Sequence, residues 1–535
     1  MEATEKEEEH RAPVRRRGVV IALVAGCAVL GGVLALLPRE RTPSRPSPPA
    51  LGAQALTAVT TGVPAALPDL AELIDERERR VRTHPRDARS WTVLGTAYVE
   101  QGRRLADPRY YPRAERALRT SLKVMSPKVT SPKVRAAGDG ERAAALAGLA
   151  ALANARRDFP AARKWGEAAL KLEPRRWTTY PLLVDACTGL GDHKAAGRAL
   201  DRLMELQTGP AVMARAAAVY RDRGWREDAA AALSDAVARA QAPAEQAAYL
   251  EQAGQLAWER GDRGAALRHF QEAVRLDPDQ RAAFAGQGRA LAALGRTTEA
   301  LNAYRVALAK QPRPEYALEL GELYEFLGLP DAARVQYDLL RDRVREAAAG
   351  GADEELVLGQ FEADHGDPAA AVRRLRAEWR RQPGTAVADA LGWALHRAGQ
   401  HEEALRFAVR ATDPERGGGV RSALYAYHRG MIERALERYG PARRHLQEAL
   451  RINPYFSPLQ ARAARAALEE LGEPPAGAVP EELRKPPAGA VPEEPEEPSA
   501  QTGPEEPEEP SAQTGPEAAE EPSAQAGPEE PAREE

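Results

Sequence analysis

The side chains of this chain that could carry out chemistry are few, and they form no recognised catalytic pattern. Nine histidines and two cysteines, Cys27 and Cys187, are the candidate metal ligands and nucleophiles. His396 and His401 are five positions apart, off one face of a helix, whereas a HExxH zinc site needs a spacing of four. The sequence contains no GxSxG, GxxxxGK(S/T) or GxGxxG motif. We therefore predict no catalytic residue, no metal site and no cofactor, and a protein that is not an enzyme.

The element that must position the remaining side chains is a repeat of 34 residues, which runs twice between residues 247 and 314. A fixed period of this size indicates one helical unit used repeatedly, each unit burying its apolar face against its neighbours. In such a unit the first glycine lets two helices approach, the second glycine ends the first helix, and the proline stops the second helix. The equivalent pairs are Gly254 and Gly288, Gly261 and Gly295, Ala266 and Ala300, Phe270 and Tyr304, Ala273 and Ala307, and Pro278 and Pro312.

This pattern resembles the tetratricopeptide repeat (TPR) family, whose units carry a bulky residue, Leu-Gly, Tyr, Ala, an aromatic residue, Ala and Pro in this order. In the same register the resemblance extends to about ten units, and with end caps at 70–83 and 457–472 it covers residues 68–472. It implies an all-α, right-handed superhelical solenoid of helix-turn-helix units. With only 5% aromatic residues, the core must consist mainly of Ala and Leu.

The resemblance also implies a ligand-binding surface, because four positions of each first helix line the concave groove of TPR proteins. Trp258 and Trp393 are the candidate hot spots, since a large aromatic side chain contributes contact area at small entropic cost. The alternative is that either ring packs against the adjacent unit. Carried over unit by unit, the groove positions are Asp185, Arg221, Glu251, Gln255, Trp258, Arg289, Glu322, Glu325, Gln360, Trp393, His396, Tyr427, Met431 and Arg434.

Charge is distributed unevenly along the chain. The net charge is −4, but residues 473–535 contain 18 glutamates and three basic residues, so this segment carries about −15 and the rest about +11. The segment is a low-complexity sequence in which Glu-Pro-Ser-Ala-Gln recurs at a 12-residue step. A composition rich in Pro and Glu with few large apolar residues predicts a disordered acidic tail. This tail is either simply solvated or competes with ligands for the basic solenoid.

Residues 18–37 form an uninterrupted run of 20 apolar or small residues, enough for a single transmembrane helix. Five Lys or Arg precede it and three follow, which predicts a cytoplasmic segment 1–17 and repeats outside the cytoplasm. Alternatively, Val-Ala-Gly-Cys at 24–27 resembles the lipobox of bacterial lipoproteins, with Cys27 as the lipidated residue. Because ten apolar or small residues follow Cys27, we favour the membrane span. The Pro- and Ala-rich residues 38–67 are predicted to be a linker.

These features predict a membrane-anchored scaffold or adaptor whose groove binds a segment of an unknown protein. One alternative is a basic solenoid that binds an anionic envelope polymer or nucleic acid under control of the acidic tail. Of these two ligands we disfavour nucleic acid. A second alternative comes from residues 72–95, which resemble membrane-linked TPR proteins of cytochrome c maturation and imply an assembly factor of that type.

Overall fold

The computed structural model describes residues 51–125, 132–413 and 419–472, which contain 23 α-helices, one short 3-10 helix and no strand. They belong to one compact unit that ends at Glu473. The predicted all-α class is thus confirmed for this part of the chain. The helices are α1 (Leu51–Thr61), α2 (Leu67–Thr83), α3 (Ala88–Leu105), α4 (Tyr110–Val124), α5 (Pro132–Ala155), α6 (Phe159–Leu172), α7 (Tyr180–Gly189), α8 (His193–Leu206), α9 (Pro210–Asp222), α10 (Arg226–Arg239), α11 (Pro243–Glu259), α12 (Arg263–Leu276), α13 (Arg281–Ala293), α14 (Thr297–Lys310), α15 (Pro314–Phe326), α16 (Pro330–Ala349), α17 (Glu355–His365), α18 (Pro368–Arg381), α19 (Thr385–Arg397), α20 (His401–Thr412), α21 (Ala423–Ala435), α22 (Tyr439–Ile452) and α23 (Gln460–Leu471).

The helices from α3 to α22 form ten pairs, which we number as units 1 to 10. The two helices of each unit pack on each other more extensively than on any other helix, and each unit then packs on the next. The helices α1 and α2 precede the first unit, and α23 follows the last. The described residues therefore form a solenoid of helix pairs.

In units 5 and 6, a glycine near the middle of the first helix provides the close approach that the sequence predicts. A Cβ atom on Gly254 would lie 2.7 Å from the ring of Phe270, and one on Gly288 would lie 2.6 Å from the ring of Tyr304. Both rings are buried. Because protein cores are close-packed, a methyl group at either glycine would have to displace the ring.

The residue that ends the first helix has a left-handed backbone conformation in nearly every unit. Gly261 has a φ of +82° and Gly295 a φ of +76°, and the equivalent residues Arg157 and Glu437 have the same conformation with a φ of 58°. Glycine adopts this conformation without the steric cost that other residues pay. The predicted helix stop is therefore confirmed.

The region before the repeats differs from its prediction. Within the predicted linker 38–67 the structure has the helix α1, and its residues Ala55 and Val59 are buried against a core that includes Leu70. These two side chains are four positions apart and share one helix face. The linker prediction rested on the Pro- and Ala-rich composition and did not use this spacing.

The predicted segment 1–17, the predicted span 18–37 and the predicted tail 473–535 lie outside the described residues. Cys27, the candidate lipidation site, lies outside them as well. Among the helices that the structure describes, none combines the length and the apolar character needed to cross a membrane.

Candidate functional site

The array winds so that units five apart touch each other. In each of units 1 to 5, the end of the first helix and the turn after it contact a distant segment. That segment directly follows the second helix of the unit five positions further along the array. Gln311 Nε2 donates a hydrogen bond to the carbonyl oxygen of Arg104 at 3.1 Å, and the backbone N–H of Asp353 donates to the carbonyl oxygen of Arg156 at 2.9 Å. We call this line of contacts the seam. Its five contacts join 103–104 to 311, 156–157 to 353–354, 189–191 to 383–384, 224–226 to 419–421, and 258–261 to 452–453.

Four polar residues that precede a proline at the end of a unit are buried at the seam or next to it. Three of them bond across it: besides Gln311, Asp277 accepts from Arg104 Nη2 at 2.8 Å, and Asn453 Nδ2 donates to the carbonyl oxygen of Trp258 at 2.8 Å. Sequence reasoning did not identify these residues. The only signal was a polar side chain before the proline in the later units, namely at Asp277, Gln311, Gln382 and Asn453.

The seam joins successive turns of the array, and we call the space inside these turns, at the predicted groove, the lumen. Four of the predicted groove residues, Asp185, Arg221, Glu251 and Arg289, face this lumen from four successive first helices. Burial raises the pKa of Glu251, and the guanidinium groups of Arg289 and Arg221 oppose that rise. Burial likewise raises the pKa of Asp185. These four side chains are therefore surrounded by protein on most sides, although water still reaches them.

The charges of the lumen are largely paired with each other. Asp185 forms an ion pair with Arg215. Arg221 lies 3.1 Å from Asp222, and a carboxylate oxygen of Glu319 lies 3.4 Å from Arg289. A basic lumen for an anionic polymer would need a row of uncompensated cations. The balance of acids and bases does not favour that alternative.

Two cavities adjoin each other in the lumen. The first, which we call the inner cavity, has a volume of about 500 Å³, and Arg221 and Tyr425 are among its lining residues. The second, which we call the mouth cleft, has a volume of about 690 Å³ and lies between α11, α13 and α15 on one side and residues 454–465 on the other. Trp258 and Phe456 line both cavities. The two cavities therefore meet at these two rings.

The two predicted hot spots have different surroundings. Trp258 is 8% exposed and lies at the junction of the two cavities. Trp393 is 5% exposed, its ring stacks on His428 with centroids 4.3 Å apart, and its indole N–H donates to Asp364 at 2.9 Å. The ring of Trp393 therefore packs between units and offers little area to a ligand. Tyr427, which is 3% exposed, also lies in this core.

The other predicted groove residues occupy less open positions. Gln255 donates to Glu259 at 2.9 Å on its own helix, and Gln360 is half-buried on α17. Met431 packs partly buried against the core of the last units, and Arg434 forms an ion pair with Glu470 of α23. Of these four side chains, only Gln255 lines the inner cavity, and none lines the mouth cleft.

The histidines near the lumen contact each other or nearby carboxylates. His365 lies 3.5 Å from Glu322 and 3.4 Å from Glu325. Both of these predicted groove residues therefore contact a histidine of the protein itself. His396 and His401 are five positions apart, yet the turn between α19 and α20 brings their Nδ1 atoms to 3.1 Å. Burial and these neighbouring histidines lower the pKa of His396 to about 4, so this ring is neutral at pH 7. In the part of the chain that the structure describes, no group of three or more acidic, His or Cys side chains is arranged to hold a metal ion.

These features define an α-helical repeat protein. The family model described as tetratricopeptide repeat matches residues 251–314 and 286–348, so this stretch of the array is similar to TPR units. No curated protein matches the chain.

Solved structures with similarity include a TPR protein from Parabacteroides merdae, with 17% identity, a TM-score of 0.29 and coverage of 49% of this chain and 99% of that one. PilF from Pseudomonas aeruginosa has 17% identity, a TM-score of 0.32 and coverage of 40% and 97%. The human IFIT1 dimer with PPP-AAAA has 14% identity, a TM-score of 0.38 and coverage of 75% and 90%. At these TM-scores the likeness supports no statement about function.

Proposed function

We propose that this protein is a non-enzymatic scaffold that binds an extended segment of another protein in the mouth cleft and the inner cavity. The observation that carries the proposal is that the two cavities meet at Trp258 and Phe456, which line both of them. Aromatic walls with a few polar groups are typical of sites that bind ligands, and buried aromatic residues often dominate the binding energy. TPR units generally bind protein partners, which agrees with this use of the lumen.

The seam restricts how such a segment reaches the lumen. Backbone atoms meet across it, for example at Gly224, where an added Cβ would lie 2.5 Å from the carbonyl oxygen of Gly419. A partner therefore enters through the mouth cleft as a chain end or a flexible loop. A rigid folded domain would not fit a cleft of about 690 Å³.

Site-specific photo-crosslinking in cells tests this function. A photoreactive amino acid replaces Phe326, which is 48% exposed in the mouth cleft, or Val335, which is 63% exposed on α16 and lines neither cavity. We expect position 326 to capture one defined protein that position 335 does not capture. Equal capture at both positions, or no protein captured at 326, would contradict the proposal.

We further propose that residues 18–37 anchor the scaffold in a membrane, with the repeats outside the cytoplasm. The apolar run of 20 residues and the excess of basic residues before it support this location. Deletion of 18–37 should move the protein from the membrane fraction to the soluble fraction, whereas Cys27→Ala should leave it in the membrane. Release by Cys27→Ala alone would indicate a lipoprotein instead.

A further inference from the structure

The acidic side chains that line the mouth cleft already have partners. Glu319 lies 3.4 Å from Arg289 and accepts a hydrogen bond from the hydroxyl of Tyr304 at 3.0 Å. Glu322 lies 3.5 Å from the Nε2 atom of His365. These two carboxylates are the only acidic groups among the described residues that line this cleft.

The cations of the cleft outnumber those carboxylates. Arg462 and Arg465 lie three positions apart on α23, so they share one face of that helix. Both side chains are exposed, and neither forms an ion pair with a carboxylate of the described residues. The guanidinium of Arg465 donates to the carbonyl oxygen of Pro454 at 2.5 Å, which holds it at the edge of the cleft. The uncompensated charge of the mouth cleft is therefore positive.

The opposite wall of the cleft carries an apolar surface beside Glu319 and Glu322. Phe326 is 48% exposed, and its neighbours in the lining include Leu323 and Trp258. A large aromatic side chain left this exposed gains stabilisation when a ligand covers it, because apolar surface then leaves water. The cleft thus places a hydrophobic surface opposite two guanidinium groups that have no carboxylate partner among the described residues.

We propose that the mouth cleft recognises an acidic-apolar peptide segment, in which a carboxylate lies beside an aromatic or aliphatic side chain. The carboxylate binds Arg462 and Arg465, since guanidinium and carboxylate form strong charge-assisted hydrogen bonds. The apolar side chain covers Phe326 and reaches toward Trp258. This inference rests on the proposed function and specifies the chemistry of its ligand.

Fluorescence anisotropy with three labelled eight-residue peptides tests the inference on the full-length protein in detergent. The peptides share the same Phe and Leu residues and differ only in the intervening residues, which are Glu, Gln or Lys. We expect the Glu peptide to bind at least tenfold more tightly than the Gln peptide, and the Lys peptide to bind most weakly. The preference should decrease with added salt, because the ion pairs are near the surface.

Matched variants separate charge from apolar contact. Arg462→Ala with Arg465→Ala should remove the preference for the Glu peptide, whereas Arg268→Ala with Arg444→Ala, two exposed arginines outside the cleft, should keep it. Phe326→Ser should weaken all three peptides. If the three peptides bind equally and Phe326→Ser still weakens them, the charge inference is wrong and the proposed function stands. If none binds, both fail.

A second copy of the chain is the competing occupant of this cleft. Analytical sedimentation of the wild type and of Phe326→Ser measures the oligomeric state and distinguishes the two occupants. A monomer in both cases agrees with a peptide site. A wild-type dimer that dissociates in Phe326→Ser would show that the cleft is an interface between copies, and would overturn the inference.

Discussion

Arg104 and Asp277 are 173 positions apart in the sequence, yet they form a buried ion pair with a nitrogen to oxygen distance of 2.8 Å. In an ordinary solenoid each unit contacts only its neighbours, and stability is a sum of unit terms and nearest-neighbour terms. Here the first unit is also bonded to the segment between units 5 and 6. We therefore expect units 1 to 10 to unfold more cooperatively than a linear array of the same length.

Replacing Arg104 by alanine tests this coupling. The side chain is 7% exposed, and its loss would leave Asp277 without its cation and the carbonyl oxygens of Ala65 and Asp279 without a donor. Removing one partner of a buried ion pair typically costs about 3–5 kcal/mol, so we expect a loss of about 3 kcal/mol in the free energy of unfolding. Denaturant unfolding followed by circular dichroism measures it.

A matched control for that variant is Arg275→Ala. Arg275 pairs with Glu272 on the same helix, at an exposed position close to Asp277 in the sequence. Exposed pairs contribute little because water screens them. We expect a much smaller change than for Arg104→Ala, and equal changes would argue against the seam as a source of stability.

Arg157 is shared by two carboxylates across the seam. Its guanidinium lies 2.5 Å from Glu315 and 3.4 Å from Glu354. Burial raises the pKa of Glu354 to about 7, and the negative charge of Glu315 adds to this rise while Arg157 opposes it. Burial acts in the same direction on Glu315, but Arg313 and Arg157 outweigh it and hold the pKa of Glu315 well below its usual range.

The pKa of Glu354 predicts how stability depends on pH. A carboxyl group with a raised pKa in the folded state binds its proton more tightly there than in the unfolded chain. Its contribution to the free energy of unfolding therefore falls as pH rises from about 5 to about 7 and stays low above that range. We expect Glu354→Gln to increase the free energy of unfolding at pH 8 by about 1–2 kcal/mol and to leave it nearly unchanged at pH 5.

Denaturant unfolding at pH 5, 6, 7 and 8 checks this expectation, with Glu355→Gln as the control. Glu355 is the adjacent carboxylate, 40% exposed and paired with Arg374. The control should retain the wild-type difference between pH 8 and pH 5. Destabilisation by Glu354→Gln at pH 8 would instead mean that the ion pair with Arg157 outweighs the burial of the carboxylate.

The burial of Trp393 predicts that its main contribution is to folding. Trp393→Ala would leave a large cavity and deprive Asp364 of its indole donor. Replacing a buried tryptophan by alanine typically costs about 3–5 kcal/mol. Thermal unfolding should show a loss of that size, whereas Phe326→Ser, at a side chain 48% exposed, should change the melting temperature little. The reverse order would mean that Trp393 is not in the core.

The repeat period predicted the helix pairs, because each unit is specified by local features such as Gly254 against Phe270. The same period indicated Asp185, Arg221, Glu251 and Arg289 as groove residues, and their role in binding stays a prediction. It could not predict the seam, because the winding of the array is the sum of small rotations over five units and no single position encodes it.

The same limit explains why Trp393 packs in the core and why two residues of the mouth cleft, Phe326 and Arg462, were missed. Trp393 occupies a groove position of its unit but faces the next unit, because the facing residues drift along the array. Phe326 lies one position beyond the last groove position of its helix. Arg462 belongs to the cap α23, which has no repeat pattern to align. These positions follow from packing between elements that are distant in the sequence.

Glycines at the same position of different units allow a direct test of whether the seam is closed in solution. Gly191 has a φ of +69° and Gly399 a φ of +77°, so an alanine at either position meets similar backbone strain. A Cβ on Gly191 would lie 2.7 Å from the carbonyl oxygen of Pro383 across the seam, whereas one on Gly399 has no atom within 4 Å. Gly399→Ala therefore measures the strain alone, and Gly191→Ala adds an overlap that only movement of the backbone can relieve.

We expect Gly191→Ala to lower the free energy of unfolding by about 1–3 kcal/mol more than Gly399→Ala. Hydrogen exchange should also become faster at the N–H of Asp353, which bonds to Arg156 in the neighbouring seam contact. If the two variants are equally stable, the seam is open in solution, and a partner can then enter the lumen from the side as well as through the mouth cleft.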